Sequence, residues 1–184
     1  MFDETSDDAI LIQAAAKKAD AYAVLYRRYV HRVYSYLLSQ VGNVQDAQDL
    51  TTQTFLSALE GIASYQGTGQ FAAWLLGIAR RKAMDHFRQQ PRLTQLDMAD
   101  ETPSSAAPLE SAIEQQLTMA QVIQALDLLV PERAEALRLR IFGELKMAEV
   151  AAIMGKSEGA VKMLVARALE DLRQYFQVQE EARS

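Results

Sequence analysis

Two features of the sequence have residue types and spacing that could do chemistry. One is a pair of carboxylates three residues apart, Asp46 and Asp49, and the other is a basic run further along the chain. Paired carboxylates can act as acid and base or hold a metal, but this work usually needs histidine or cysteine partners. The chain has no Cys and only 2 His, and neither His belongs to a Glu-x-x-His pair. The residues therefore favour binding over catalysis, and we expect a protein that is not an enzyme, with no metal site and no cofactor.

Charge is distributed unevenly along the chain. The formal net charge of −5 argues against a general nucleic-acid coat protein. Residues 80–92 nevertheless hold five basic residues and one acid, whereas residues 95–115 hold five acids and no base. The first segment could contact phosphates, and the second is typical of a solvated tether.

Apolar residues recur at helical spacing through most of the sequence, of which 49% is hydrophobic. This spacing predicts helices over residues 7–18, 20–40, 46–62, 71–89, 109–130, 131–143, 146–154 and 157–176. Three prolines, small polar residues and acids in residues 91–111 predict a flexible acidic linker. The expected fold class is therefore all-α, with two small helical domains, 1–90 and 112–178, joined by this linker.

The sequence gives no sign of a membrane segment. No apolar run approaches the roughly 18 residues of a membrane span, and the first residues are acidic, unlike a signal peptide. We expect a cytoplasmic protein without membrane insertion.

Residues 146–173 have the pattern of a helix-turn-helix. Small and apolar residues precede a turn at Gly155, Ser157 can cap the next helix, and Val161, Leu164 or Val165, Ala168 and Leu172 would form its buried stripe. The residues left near the outer surface, where a recognition helix meets the major groove, are Ser157, Glu158, Lys162, Met163, Ala166 and Arg167. Apart from Ala166 these are the candidate DNA-binding residues, together with Lys156 of the turn. A helix bundle whose short helix only packs would show the same spacing, so these residues alone leave DNA binding open.

Two N-terminal motifs, D-A-Q-D-L-T-T-Q-T-F-L at 46–56 and F-A-A-W-L-L-G-I-A-R-R-K-A-M-D-H-F-R at 71–88, resemble region 2 of bacterial sigma-70 factors. The C-terminal half resembles region 4 of the same family at positions that include Pro131, Ala148, Gly155 and Lys162. The resemblance covers about residues 8–176 and is to the small extracytoplasmic-function (ECF, group 4) sigma factors. It implies that domain 1–90 is sigma region 2 and that domain 112–178 is sigma region 4.

The resemblance implies that one face of the helix over 46–62 binds core RNA polymerase at the clamp helices of its β′ subunit. The residues concerned are Asp46, Asp49, Thr52 and Gln53. Their spacing by itself fits a solvated acidic face equally well. Gln48 and Thr52 stand where the family usually has Glu and Gln.

The loop 65–70 contains two glycines between aromatic residues, which suits an unstacked base. Phe71 and Trp74, three residues apart, also fit a core anchor. The resemblance implies that this segment and the basic helix after it bind the −10 promoter element, through Tyr65, Phe71, Trp74, Arg80, Arg81, Lys82, Asp85 and Arg88. Arg81 stands where the family commonly has Asn.

The expected function is that of an ECF sigma factor. It would bind core RNA polymerase through the β′ and β subunits, direct it to the −35 and −10 elements of promoter DNA, and assist promoter melting. Family members are often held inactive by an anti-sigma factor, so such a partner is expected, whereas a small-molecule substrate is not. The alternative is a stand-alone helix-turn-helix transcriptional regulator, which would have no use for the face at 46–56.

Overall fold

The computed structural model describes residues 2, 5–65, 67, 70–89 and 119–181, and within them every regular element is helical. The helices are α1 (Asp8–Ala15), α2 (Ala19–Val41), α3 (Val44–Gly61), a 3₁₀ turn (Ile62–Ser64), α4 (Phe71–Gln89), α5 (which includes residues 119–127), α6 (Pro131–Ile141), α7 (Met147–Met154) and α8 (Glu158–Glu181). The all-α fold class is confirmed. The linker predicted at 91–111, and the predicted start of α5 at 109, lie outside the described residues.

The helix ends follow from local side-chain chemistry. Asp7 caps α1 by accepting a hydrogen bond from the amide of Ala9 at 2.7 Å, and Asn43 caps α3 through the amide of Asp46 at 2.9 Å. Gly42 ends α2 with a left-handed φ of 68°, which glycine adopts without the strain of a side chain. The stop and restart predicted at Gly42-Asn43 are therefore confirmed.

Helices α1 to α4 form one packed group. α2 lies against α1, α3 and α4, and α3 also packs on α4. The buried residues of this group are mostly aliphatic and recur every three or four positions; they include Leu25, Val33, Leu37, Leu50, Leu75 and Leu76. This arrangement turns one face of α3 and one face of α4 outward.

Helices α5 to α8 form the second group, in which α8 packs on both α6 and α7. Its interior includes Leu126, Leu137, Leu139, Leu145, Val150 and Val161. Arg138 is also buried here, and its guanidinium lies 2.6 Å from the carboxylate of Asp127.

The two groups contact each other, and their buried residues form one continuous hydrophobic cluster. Helices α2 and α4 of the first group meet α6 and α7 of the second. The orientation of the two groups is a result that the sequence left open.

Candidate functional site

The face predicted at 46–56 divides between an exposed strip and the interior of the first group. Asp49, Thr52 and Gln53 are exposed along α3. Asp46 is half-buried instead, and its Oδ2 lies 3.6 Å from Nε2 of His86 on α4. We call Asp49, Thr52 and Gln53 the docking face.

Sequence reasoning missed the apolar continuation of the docking face. Leu56 is 57% exposed and Leu59 is 44% exposed, although leucine at helical spacing usually indicates the core. Both lie on the strip that starts at Asp49, because residues three, four and seven positions apart share one side of a helix. The spacing from Asp49 was the signal that could have identified them. An exposed strip with carboxylate, amide and aliphatic groups is suited to a protein partner.

A cavity of about 410 Å³ opens between α3 and α4. It is lined by Ser57, Gly61, Ser64, Trp74, Ile78, Arg81, Lys82 and Asp85. The structure thus brings together Trp74, Arg81, Lys82 and Asp85 from the predicted −10 set. We call this site the α3–α4 cavity. An indole face beside two cations offers stacking for a base and charge for a phosphate.

The aromatic residues around loop 65–70 form one connected group of rings. The ring centroids of Tyr65 and Trp74 are 5.1 Å apart, those of Phe71 and Trp74 are 5.5 Å apart, and those of Tyr29 and Phe71 are 5.3 Å apart. Phe71 is buried, whereas Tyr65 and Trp74 are half-buried. Burial raises the pKa of the Tyr65 hydroxyl, which keeps it protonated. Phe71 therefore serves as an anchor, and Tyr65 and Trp74 retain accessible surface for a ligand.

Neither Arg80 nor Arg88 lines the α3–α4 cavity itself. Nε of Arg80 is 3.0 Å from Oε1 of Glu135 in the second group, and Arg88 is paired with Asp85 on the exposed end of α4. Neighbouring residues on an α-helix point about 100° apart, so Arg80 and Arg81 face different sides. The predicted basic surface is therefore divided rather than continuous.

The predicted helix-turn-helix is formed by α7 and α8. Gly155 ends α7 with a φ of 65°, and Oγ of Ser157 accepts a hydrogen bond from the amide of Ala160 at 3.2 Å, as the predicted cap requires. Val161 and Val165 are buried against the rest of the second group. The exposed residues, which we call the recognition face, are Ser157, Glu158, Lys162, Met163 and Arg167.

Acidic neighbours neutralise two of the predicted DNA-binding lysines. Nζ of Lys162 lies 2.7 Å from Oε1 of Glu158, and Nζ of Lys156 lies 2.8 Å from Oε1 of Glu132. Lys156 is half-buried beside this partner, so it belongs to the edge of the recognition face. The face therefore offers little net charge for phosphate binding in this arrangement.

Residues 155–159, Gly-Lys-Ser-Glu-Gly, match the letters of the Gly-x-Ser-x-Gly nucleophile pattern. That pattern requires a strand before the serine, whereas Ser157 follows helix α7 and caps α8. Among the described residues, no group of His, Asp and Glu side chains has the arrangement of a metal site. In the same part of the chain, no helix is both long enough and apolar enough to cross a membrane.

The fold and these surfaces define a helical protein with a helix-turn-helix unit, and comparison with known proteins identifies its family. The family model Sigma-70 region 2 matches residues 25–93, and the model Sigma-70, region 4 matches residues 119–172. The chain belongs to the sigma-70 family of RNA polymerase sigma factors and resembles its ECF members. The predicted family is confirmed, and the stand-alone regulator is not favoured.

Two curated relatives illustrate the family. The chain is 38% identical over 175 residues to the ECF RNA polymerase sigma factor BldN of Streptomyces coelicolor, covering 91% of this chain and 66% of that relative. It is 32% identical over 157 residues to the RNA polymerase sigma factor CarQ of Myxococcus xanthus, covering 84% of this chain and 88% of that relative. The chain thus spans about two thirds of BldN and most of CarQ.

A solved structure has the same fold. CnrH, determined in complex with the cytosolic domain of CnrY, superposes with a TM-score of 0.73 at 24% identity, covering 93% of this chain and 97% of that chain.

Proposed function

We propose that this chain is an ECF sigma factor that binds core RNA polymerase and directs it to promoters with specific −35 and −10 elements. The observation that supports this most directly is the exposed docking face on a unit that matches sigma region 2, in a chain that also matches region 4. We assign region 2 to residues 1–90, the linker to 91–111 and region 4 to 112–178. Since polymerase and promoter DNA are its partners, it acts in the cytoplasm.

The docking face binds the clamp helices of the β′ subunit. The carboxylate of Asp49 is exposed, and its hydrogen bond from Nε2 of Gln45 is long, at 3.4 Å. It is available for a charge-assisted hydrogen bond from a cationic side chain of the polymerase, which would fix register and specificity. Leu56 adds apolar surface at the same face. Asp46, Thr52 and Gln53 complete the set of polymerase-binding residues. Asp46 lies at the edge of this set, where its carboxylate contacts His86 on α4.

The α3–α4 cavity captures an unstacked base of the −10 element. Trp74 and Tyr65 supply aromatic faces, and Arg81 and Lys82 neutralise neighbouring phosphates. Base capture in the cavity stabilises the open promoter, so melting draws on binding energy and needs no nucleotide hydrolysis by this chain. Arg88, at the exposed end of α4, extends the phosphate contacts along the strand.

The recognition face reads the −35 element in the major groove. Lys162, Met163 and Arg167 project from the first turns of α8, where a helix-turn-helix contacts base edges. Region 4 also binds the β subunit of the polymerase. Because polymerase and region 2 share the task of holding the promoter, the recognition face can be nearly neutral.

An anti-sigma factor is a further partner. The RpoE sigma factor of Bartonella quintana was solved in complex with the anti-sigma factor NepR, at a TM-score of 0.67 and 21% identity to this chain. CnrH was likewise solved with a partner, CnrY. These complexes support a similar partner for this chain.

Promoter-dependent run-off transcription with purified core polymerase tests the proposal. The wild-type chain should form a complex with core and start transcription, whereas Asp49→Lys should abolish core binding and keep the helical content measured by circular dichroism. Glu170→Lys makes the same charge change at an exposed site on α8 and should leave core binding intact. If the wild-type chain forms no complex with core and footprints DNA alone, the stand-alone regulator is the correct function. Loss of helical content in Asp49→Lys would assign Asp49 a structural role.

A further inference from the structure

A carboxylate of the second group is held by three donors of the first. Oε1 of Glu135 on α6 accepts hydrogen bonds from the hydroxyl of Tyr36 at 2.9 Å and from Nε of Arg80 at 3.0 Å. Its other oxygen accepts a hydrogen bond from the amide of Gln40. We call Tyr36, Gln40, Arg80 and Glu135 the interdomain cluster. A site that places three donors around one carboxylate is an anion-binding site.

One donor of the interdomain cluster, the hydroxyl of Tyr36, is held in place by burial and by a neighbouring side chain. Tyr36 is fully buried, and Nε2 of Gln40 also donates to its hydroxyl oxygen at 2.9 Å. Burial, followed by the charge of Glu135, raises the pKa of Tyr36 well above its usual range, so the hydroxyl remains a donor. The Arg80 side chain is 30% exposed and the Glu135 side chain 16%, so exchange of the anion requires the two groups to separate.

A second contact holds the two groups at the loop after α6. The guanidinium of Arg32 on α2 donates to the carbonyl oxygen of Gly143 at 2.8 and 3.2 Å and to that of Glu144 at 3.0 Å. A Cβ atom at Gly143 would lie 2.6 Å from the backbone oxygen of Leu139 and 2.9 Å from Cδ1 of Leu76 on α4, so glycine suits the point where this loop meets α4. Beyond this loop, α7, the first helix of the helix-turn-helix, also packs against α4.

Arg80 belongs to the basic segment of α4, yet in this arrangement its guanidinium is engaged by Glu135. Carboxylates and phosphodiesters both present anionic oxygens that a guanidinium binds with charge-assisted hydrogen bonds. While Nε of Arg80 donates to Glu135, that nitrogen cannot donate to a phosphate. Arg80 faces a different side of α4 from Arg81, but both belong to a helix that binds the DNA backbone in the proposed function. A backbone phosphate is therefore the anion that would replace Glu135.

We propose that Glu135 occupies an anion site, formed by Tyr36, Gln40 and Arg80, that takes a backbone phosphate of promoter DNA when the two domains separate. Glu135 and DNA then compete for Arg80, and the packed arrangement is a low-affinity state for DNA. This inference rests on the proposed function for the identity of the anion.

Salt-dependent binding of fluorescein-labelled oligothymidylate to the full chain tests the competition. Glu135→Gln keeps the shape of the side chain and removes its charge, so it should tighten binding about tenfold, the equivalent of losing one charge-assisted hydrogen bond to Arg80. One additional phosphate contact should steepen the dependence of log K on log salt by about 0.7. Both changes should vanish when Glu135→Gln is made in an Arg80→Gln background. Glu170→Gln, which removes one acid from α8, should change the affinity less than about twofold.

Energy transfer between the two domains gives a second readout. The chain has no Cys, so the pair Glu60→Cys and Gln174→Cys provides two specific sites for dyes. Glu135→Gln should lower transfer efficiency, and oligothymidylate should lower it in the wild-type background.

The inference is overturned if Glu135→Gln tightens binding equally with and without Arg80, since that effect would come from net charge alone. It is also overturned if the domains separate in Glu135→Gln without a gain in DNA binding, or if neither quantity changes. Failure of the wild-type chain to bind core polymerase would instead refute the proposed function, because the DNA and energy-transfer measurements contain no polymerase.

Discussion

Replacing Glu158 with Gln should strengthen binding of the chain to duplex DNA that lacks a promoter. Glu158 lies in the first turn of α8 and holds Nζ of Lys162 at 2.7 Å. Removing the carboxylate takes a negative charge away from the recognition face and leaves Lys162 available to neutralise a phosphate. Each phosphate neutralised on B-DNA steepens the slope of log K against log salt by about 0.9.

The size of this effect follows from the slope. Between about 50 and about 200 mM salt, one additional contact makes the variant lose about 3.5-fold more affinity than the wild-type chain. The cost to folding is small because the two side chains are 60% and 48% exposed. The pair contributes about 0.3–0.5 kcal/mol, and an acid in the first turn of a helix adds up to about 1 kcal/mol.

Fluorescence anisotropy at several salt concentrations measures the slope. Glu170→Gln is the matched control, since it removes an acid paired with Arg173 at 3.5 Å further along the same helix. An unchanged slope in Glu158→Gln would refute the reasoning that Lys162 is held back from DNA. An equal change in Glu170→Gln would show that only net charge matters.

Four further predictions concern stability. Gly155→Ala should destabilise the chain by about 1 kcal/mol in thermal unfolding, because φ is 65° there although the added Cβ meets no atom within 4 Å. Gly77→Ala should instead stabilise it by about 0.5–1 kcal/mol, because its Cβ is equally unobstructed in the interior of α4. Asp127→Ala should cost about 1–3 kcal/mol in urea unfolding by leaving buried Arg138 without its carboxylate, whereas Arg138→Met should be close to neutral. Burial raises the pKa of Tyr22 to about 12, so stability should be full below pH 10, the usual pKa of tyrosine, and fall as pH rises towards 12; Tyr22→Phe should reduce this loss in denaturation measured against pH.

The helices were predictable because their signals are local. The apolar spacing in residues 71–89 predicted a helix with the observed bounds Phe71–Gln89, and Gly42-Asn43 marked a helix end and the next cap. The first helix ends at Ala15 instead of the predicted residue 18, since Lys18 is already the extended residue before α2. Periodicity identifies a helix well but locates its ends poorly.

The binding surfaces were predictable only in part, since burial depends on partners that are distant in sequence. Asp46 shares a helical side with Asp49, yet α4 brings His86 to its carboxylate and leaves Asp49 in solvent. Likewise, the hydrogen bond between Tyr36 and Glu135 joins residues 99 positions apart. Spacing within one helix cannot reveal such contacts, because they require knowledge of how the helices pack.

The basic run of α4 shows why charge composition does not define a binding surface. Arg80 and Arg81 contribute equally to the charge of residues 80–92, but the helix turns by about 100° between them. Arg81 therefore lines the α3–α4 cavity, whereas Arg80 reaches across to Glu135. One helix thus presents cations to two different sites, and only one of them is blocked when the domains pack together. For DNA to use both Arg81 and Arg80, its contact with Arg80 must be stronger than the contact of Glu135 that it replaces. The free energy of separating the domains is then part of the affinity for the promoter.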